Sequence, residues 1–477
     1  MNFRKENTIQ KQVVDFKINA AVDGFRFQSE LEVLCRDDLK RALESLFEKY
    51  AFTDEVICLD AVFAEVEFIS IEELKSSFSE KIVRELEKAL VLKVSDAAKV
   101  SEITHTSLAH SLVKMLVFYL REGFFPWWSS VKTLQDWQEF VNVLCSGEVK
   151  PADWSPIFLT LREKRARKRL REVFTQQQIW KLIPRITTTS AESFERDLDT
   201  FLAAIQIQDK RQTFNDQYHD TLWFAIAEVN GLPSFRKRFA DLLLKEIKQT
   251  HINLLQTIAP NRIETAELKE RFIREREKNI SPDKPRMPEV YFESQKQDEN
   301  ELFDEESEMT AIERSGEAIY IANSGLVLVA AFLPMFFKDL ALLKDDVLDS
   351  DKAIAVLQYI VKGLDAYEEF ETVLPKILCG LELSQPIIKT KISKMEKAKA
   401  NDLLESVIEH WTVLKNTSVE GLRMSFLQRE GRLSFQNNEW KLKVKQEAYD
   451  MLLSHLPWNI SMIKLPWMKC LLNVEWA

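Results

Sequence analysis

Little in the chain marks it as an enzyme. Only ten glycines are spread over 477 residues, and none stand in a GxGxxG or GxxxxGK[ST] run, so the backbone N–H cradle for nucleotide phosphates is missing. No GxSxG elbow or HExxH helix occurs either. The histidines number six; His105 and His110 would point about 140° apart on a helix and so share no face for a metal. Five cysteines, Cys35, Cys58, Cys145, Cys379 and Cys470, stand far apart without a CxxC pair, which reads as thiols in a reducing compartment. The most apolar run, Gly325 to Phe337, contains Pro334. It falls short of the roughly 20 residues a bilayer requires, so it is expected to be a buried helix. The opening MNFRKENTIQKQ lacks the apolar stretch of a signal peptide. These absences lead to the expectation of a soluble cytoplasmic protein with no membrane insertion, catalytic residues, cofactor or bound metal.

What is present can build a large core. Hydrophobic residues make up 45% of the chain, including 30 Phe, 11 Trp and 8 Tyr, and each buried aromatic removes about 150–250 Å² from water. The net charge is −10, the wrong sign for general contact with phosphates. The pairs Glu368–Glu369 and Asp345–Asp346 read as solvated faces. Arg162 to Arg171 holds seven basic residues and one acidic one. This run reads as a solvated helix face, or as a docking patch for an acidic surface.

The expected fold class is mostly α with α+β ends, in several domains. Residues 1–75 read as a small strand–helix–strand unit: Val13 to Ile18 strand-like, 29–49 helical with Leu31, Leu34, Leu39, Leu43, Leu46 and Phe47 inward, and Ala61 to Ile69 alternating like a half-wet strand. Residues 76–280 read as helical. Leu108, Leu112, Met115, Leu116 and Tyr119 form one apolar stripe, Gly123 stands at a C-cap position, and Phe124 to Trp128 make an aromatic turn. A second stripe runs through Phe235, Phe239, Leu242, Leu243 and Ile247. Residues 281–315 read as an acidic, proline-containing linker: Pro282, Pro285 and Pro288 break regular structure, and Asp298 to Glu308 carries seven acids and no base. Residues 316–477 read as α+β. Core helices are expected near 323–337, 352–360 and 403–414, then a helix 419–430, a β-hairpin turning at Asn437–Asn438, and two short strands around Pro466.

The ordered motifs are more specific than the composition. Asn323-Ser-Gly-Leu-Val-Leu, with Phe332-Leu333-Pro334 after it, resembles the NAGLVLL…PFLP pattern of the tape-measure family of contractile injection systems. KILCGLEL (376–383), IEHWTVLKNTSVEGLRMSFLQREGRL (408–433) and LPWNISMIKLPWMKCLLNVEW (456–476) follow in order, and LVFYLREGFFPWW (116–128) resembles an upstream block. The resemblance implies a non-enzymatic structural role in a phage-tail-like particle assembled in the bacterial cytoplasm, setting or initiating inner-tube length. It implies inner-tube and spike or baseplate proteins as partners, and an extended part of the chain in the tube lumen. Physics qualifies that picture. One continuous helix of this length would span about 700 Å, yet a chain with strands, a hairpin and 11 Trp will fold in part. Either only part of the chain extends, with the C-terminal α+β region as an anchor near the spike or baseplate, or the folded state belongs to a free or pre-assembly form.

Candidate partner-binding residues are Arg423, Arg429, Arg432, Trp458, Trp467 and Trp476, since Trp and Arg dominate interface hot spots. The alternative for these tryptophans is the core, and for the arginines internal pairing with Glu420 and Glu430. Strand 471–476 could add to a partner's sheet edge. Other readings of the whole chain are an assembly chaperone of the same particle and, remotely, a winged-helix nucleic-acid binder. Helix 419–430 and its hairpin have the winged-helix order, but 410–477 carries nine basic against six acidic residues, too few for strong phosphate binding.

Overall fold

The computed structural model describes residues 8–10, 12–18, 23–49, 55–59, 61–96, 103–146, 149, 151–175, 178, 318–345, 347–414 and 416–476. Of 55–58, 93–96, 103–106, 151, 152 and 155 it describes the backbone only. The expected linker 281–315 and the stripe Phe235 to Ile247 lie outside these residues. The chain divides into two compact units, Met1–Lys114 with Trp128–Val131, and Met115–Trp127 with Lys132–Ala477.

In the first unit, Asp23 caps α1 (Gly24–Val33) by accepting from the Arg26 N–H. The helix continues through a π-helical turn, Leu34–Leu39, into α2 (Lys40–Glu48). Leu31, Leu39, Leu43 and Leu46 share a core with Leu74, Phe78 and Leu90 of α3 (Ile71–Asp96). A two-stranded antiparallel ribbon pairs β1 (Glu55–Leu59) with β2 (Ile103–Ser107). His105 therefore lies on a strand, while His110 is helical.

The strands expected at 13–18 and 61–69 are not formed; both segments run without regular structure. Phe16 and Phe68 still point inward and both stack on Phe78 at 6.2 and 6.3 Å, while Phe63 is exposed. Period-two alternation records an extended, half-buried segment. A strand also needs a ladder partner, and here the neighbours are helices.

In the second unit, α4 (Leu108–Glu122) contributes from Met115 onward. It closes as expected at Gly123, whose φ of 82° lets its N–H reach the Tyr119 carbonyl at 2.8 Å. Phe125 of the aromatic turn then inserts among Tyr119, Phe370, and Trp137 and Phe140 of α5 (Leu134–Ser146). Two short helices follow, α6 (Ser155–Leu161) and α7 (Lys164–Val173).

From β3 (Ile319–Ile321) the chain enters a 3₁₀ helix, Ser324–Phe332, that becomes α8 (Leu333–Asp339) with Pro334 in its first turn. The apolar run is thus mostly buried and helical as expected, with Ala331 and Met335 exposed, but 3₁₀ over most of its length. After the hairpin β4 (Leu343–Lys344) and β5 (Val347–Leu348) come α9 (Ser350–Lys362), α10 (Val373–Leu378) and α11 (Lys394–His410). Asp349 caps the start of α9 and Gly363, at φ 69°, its end; Ser393 and Glu396 form a capping box on α11. The short α12 (Val419–Leu422) runs into a π-helical turn, Arg423–Leu427.

A five-stranded sheet ends the fold: β6 (Gly431–Gln436), β7 (Glu439–Val444), β8 (Met462–Ile463) and β9 (Leu472–Glu475) join β3 in the order β3-β6-β7-β9-β8. Asn437 and Asn438, at φ 54° and 63°, make the tight turn between β6 and β7. Leu433, Leu442 and Leu472 face the common core. Strand β9 runs parallel to β7 and antiparallel to β8. It lies inside the sheet, so 471–476 is not a free edge for strand addition. Mostly helical elements with mixed α/β ends are what the composition and periodicities predict.

Candidate functional site

The ordered sequence motifs converge in the second unit. Ser324 donates its N–H to the Arg429 carbonyl at 2.9 Å, and Asn323 donates its side-chain N–H to the Glu371 carbonyl at 2.8 Å. Trp458 donates its indole N–H to the Leu328 carbonyl at 3.0 Å, and Trp467 donates to the Leu378 carbonyl at 2.7 Å. Gly380, at φ 72°, leaves room for the Trp467 carbonyl, which a Cβ would strike. Gly325 likewise lies against the backbone of Phe426 and Leu427. Each motif block from Asn323 onward is therefore the packing partner of another.

Arg429 is the centre of a second arrangement. Its guanidinium forks onto both Asp450 oxygens at 2.7 and 2.8 Å, with both side chains buried. It stacks on Tyr449 and Trp476 at 5.2 and 5.4 Å. Trp476 also donates to Asp450 at 3.2 Å, as does the Glu447 N–H at 2.9 Å. Burial pushes the Asp450 carboxyl upward, but the hydrogen bonds from Arg429, Glu447 and Trp476 outweigh it and hold the pKa below the usual aspartate range. A group with a lowered folded pKa contributes stability above its unfolded value of about 3.9. That contribution is lost as the pH falls through the folded value. Acid unfolding followed by tryptophan fluorescence should show this, and D450N should flatten the pH dependence below about pH 4. Beside the cluster an open groove of about 490 Å³ is lined by Glu447, Met451, Leu456, Trp458, Ile460 and Trp476.

A third cluster is ionic and interior. The Arg169 side chain on α7 is fully buried and donates to Glu369 at 3.0 Å, to the Leu120 and Arg121 carbonyls at 2.8 and 2.6 Å, and to the Ser384 carbonyl. Lys376 on α10 reaches the same Glu369 oxygen at 2.6 Å and the Leu383 carbonyl at 2.8 Å. Burial is the larger influence on the Lys376 ammonium and draws its pKa down to about 8, against the pull of Glu369. Two sequence readings are corrected here. Glu369 is not on a solvated face, and the basic run 162–171 is not wholly a wet helix face or docking patch, since Arg167 and Arg169 are interior. The run has helical spacing, but charge counts say nothing of which face meets the core. A lone Lys within VLPKIL is the sequence signal for a buried cation; the E447–D450 spacing of a capping box is the signal for Asp450.

Most of the residues proposed from sequence have internal partners. Arg423 donates to the Ile360 carbonyl at 3.0 Å and to Asn401 at 2.8 Å, and lies 3.4 Å from Glu420. Arg429 pairs with Asp450 rather than Glu430. Trp458, Trp467 and Trp476 are half-buried with the indole bonds described above. Arg432 is exposed on β6.

Among the described residues no group of His, Cys, Asp or Glu is placed to hold a metal, and no helix is long and apolar enough to cross a membrane. Cys35, Cys145, Cys379 and Cys470 are thiols. The family model of the contractile injection system tape measure protein matches residues 6–476. The chain belongs to that family. No curated protein and no solved structure matches it. As a tape measure protein it is a structural component of an injection system.

Proposed function

We propose that this tape measure protein sets or initiates the length of the inner tube from the spike or baseplate side, in the cytoplasm where the particle assembles. Residues 318–476 act as a folded anchor, and the ruler lies elsewhere in the chain. One observation carries this reading: the motif blocks are hydrogen-bonded to one another around a continuous buried core. A segment held this way cannot also lie extended along a tube. The acidic, proline-bearing segment 281–315 has the composition of a chain that stays solvated, which suits a spacer leading to an anchor.

Inserting about 60 helix-forming residues near Lys296 tests the reading. A ruler containing this segment should lengthen tubes by up to about 90 Å, with a distribution as narrow as the parent's in electron micrographs. Unchanged tubes would place length control elsewhere.

Arg432 is the proposed contact with a spike or baseplate protein, because it is exposed on β6. R432E should weaken pull-down of that partner while shifting folding stability by no more than about 0.5 kcal/mol, the usual range for surface changes.

A further inference from the structure

An open groove of about 850 Å³ is formed by residues of α11 and α12 and the turn between them. Ile408 and Val419, both half-buried, give it an apolar floor. Glu405 and Glu409 come from α11 and Glu420 from α12, and all three are exposed. Arg423 is the one cation among the described lining residues. Its side chain is only 7% exposed and is turned inward, onto the Ile360 carbonyl, Asn401 and Glu420. The groove therefore offers a partner apolar surface under a rim of negative charge.

The spacing on α11 says more. Glu405 and Glu409 stand four residues apart, so they share a face and lie about 6 Å apart along the axis. Like charges at this spacing repel, and among the described residues neither side chain has an ion pair or hydrogen bond. A cation laid across them relieves that repulsion. The walls are helices, whose backbone groups are already paired, so an extended segment in the groove would leave its own N–H and C=O groups unmet. A helix brings its hydrogen bonds with it, and Lys or Arg at i and i+4 on such a helix repeats the spacing of the two glutamates.

We infer that this groove docks an amphipathic helix of a partner protein, with Lys or Arg four positions apart facing Glu405, Glu409 and Glu420 and apolar residues resting on Ile408 and Val419. The source of that helix, a tube, spike or baseplate protein, rests on the anchor reading above.

The docking is tested in the free full-length protein with a photo-crosslinking amino acid in place of Thr412, which is exposed in the groove lining. The probe is a synthetic amphipathic helix with Leu on one face and Lys four apart on the other; its counterpart carries Glu for Lys. The Lys peptide should attach at position 412 and the Glu peptide should not. E405Q/E409Q/E420Q should lower attachment about tenfold, as loss of complementary charge at a docking surface does. E32Q/E48Q/E72Q, which neutralises three exposed carboxylates of the first unit, should leave it unchanged. Circular dichroism melts matching the parent's show that both variants remain folded. No attachment, equal attachment of the two peptides, or equal attachment to the two triple variants overturns the inference.

In assembled particles the same crosslinker should join a segment of a tube, spike or baseplate protein that carries Lys or Arg four positions apart. A link to an acidic segment or to a second copy of this chain, or no link, overturns the inference. Tube lengths after the insertion near Lys296 test the ruler reading separately, so either can fail without the other.

Discussion

Arg169→Met should lower the stability of the second unit by about 3–5 kcal/mol, the range found when one partner of a buried ion pair is removed. The substitution fits by volume, so lost packing contributes little. What it removes is a fork that donates to Glu369, Leu120, Arg121 and Ser384 together. The Glu369 carboxylate would keep Lys376 at 2.6 Å, but three buried carbonyls would lose their donor, and an unmet buried polar group costs about 1–3 kcal/mol. Gly123 adds to the constraint: a Cβ there would press on both Arg169 and Glu369, so the backbone has closed around the pair. Arg169→Lys should recover only part of the loss, because an ammonium restores the charge without the planar fork. Urea unfolding followed by tryptophan fluorescence measures all three proteins. A midpoint for R169M matching the parent would show that the cluster holds nothing together.

Gly325→Ala should cost about 3 kcal/mol, at the upper end for overpacking a filled core. The added methyl would enter the space of the Phe426 carbonyl, with the Leu427 Cα next to it. These are backbone atoms at the end of the π-helical turn, so no rotamer change can make room. The turn and the 3₁₀ helix Ser324–Phe332 would have to separate, breaking the Ser324 N–H to Arg429 carbonyl bond. Since Arg429 carries the Asp450 and Trp476 contacts, the disturbance should also reach the groove. Thermal unfolding should fall by several degrees, and the fluorescence of the native state should change. If G325A melts with the parent, the close approach of the two backbones is not a stability determinant.

Both effects arise from contacts between distant segments, which local sequence patterns do not name. Local features are different. The Asn437–Asn438 turn is legible in the sequence, since alternating Trp440, Leu442 and Val444 require a strand and paired asparagines accept positive φ. Gly123 at the end of α4 is legible for the same local reason. Val13 to Ile18 and Ala61 to Ile69 have strand composition yet form no strand, because a ladder depends on a partner that composition does not name. The site is less legible than the fold. Arg429 and Trp476 have the residue types of an interface hot spot, yet each has a hydrogen bond to the buried Asp450. Glu369 has the sequence setting of a solvated carboxylate, and its partners Arg169 and Lys376 come from elsewhere in the chain.

The residues alone settled helix content, the hairpin, the Gly123 cap, the absence of catalytic motifs and the family, because each depends on neighbours within a few positions or on ordered blocks. Tertiary structure alone decided which charges are interior, that β9 runs parallel to β7 inside the sheet, and that the segments before 175 and after 318 close on one another. Those outcomes join residues up to 218 positions apart. Burial then sets their energies, since desolvating an ion is costly until a partner arrives from elsewhere in the chain.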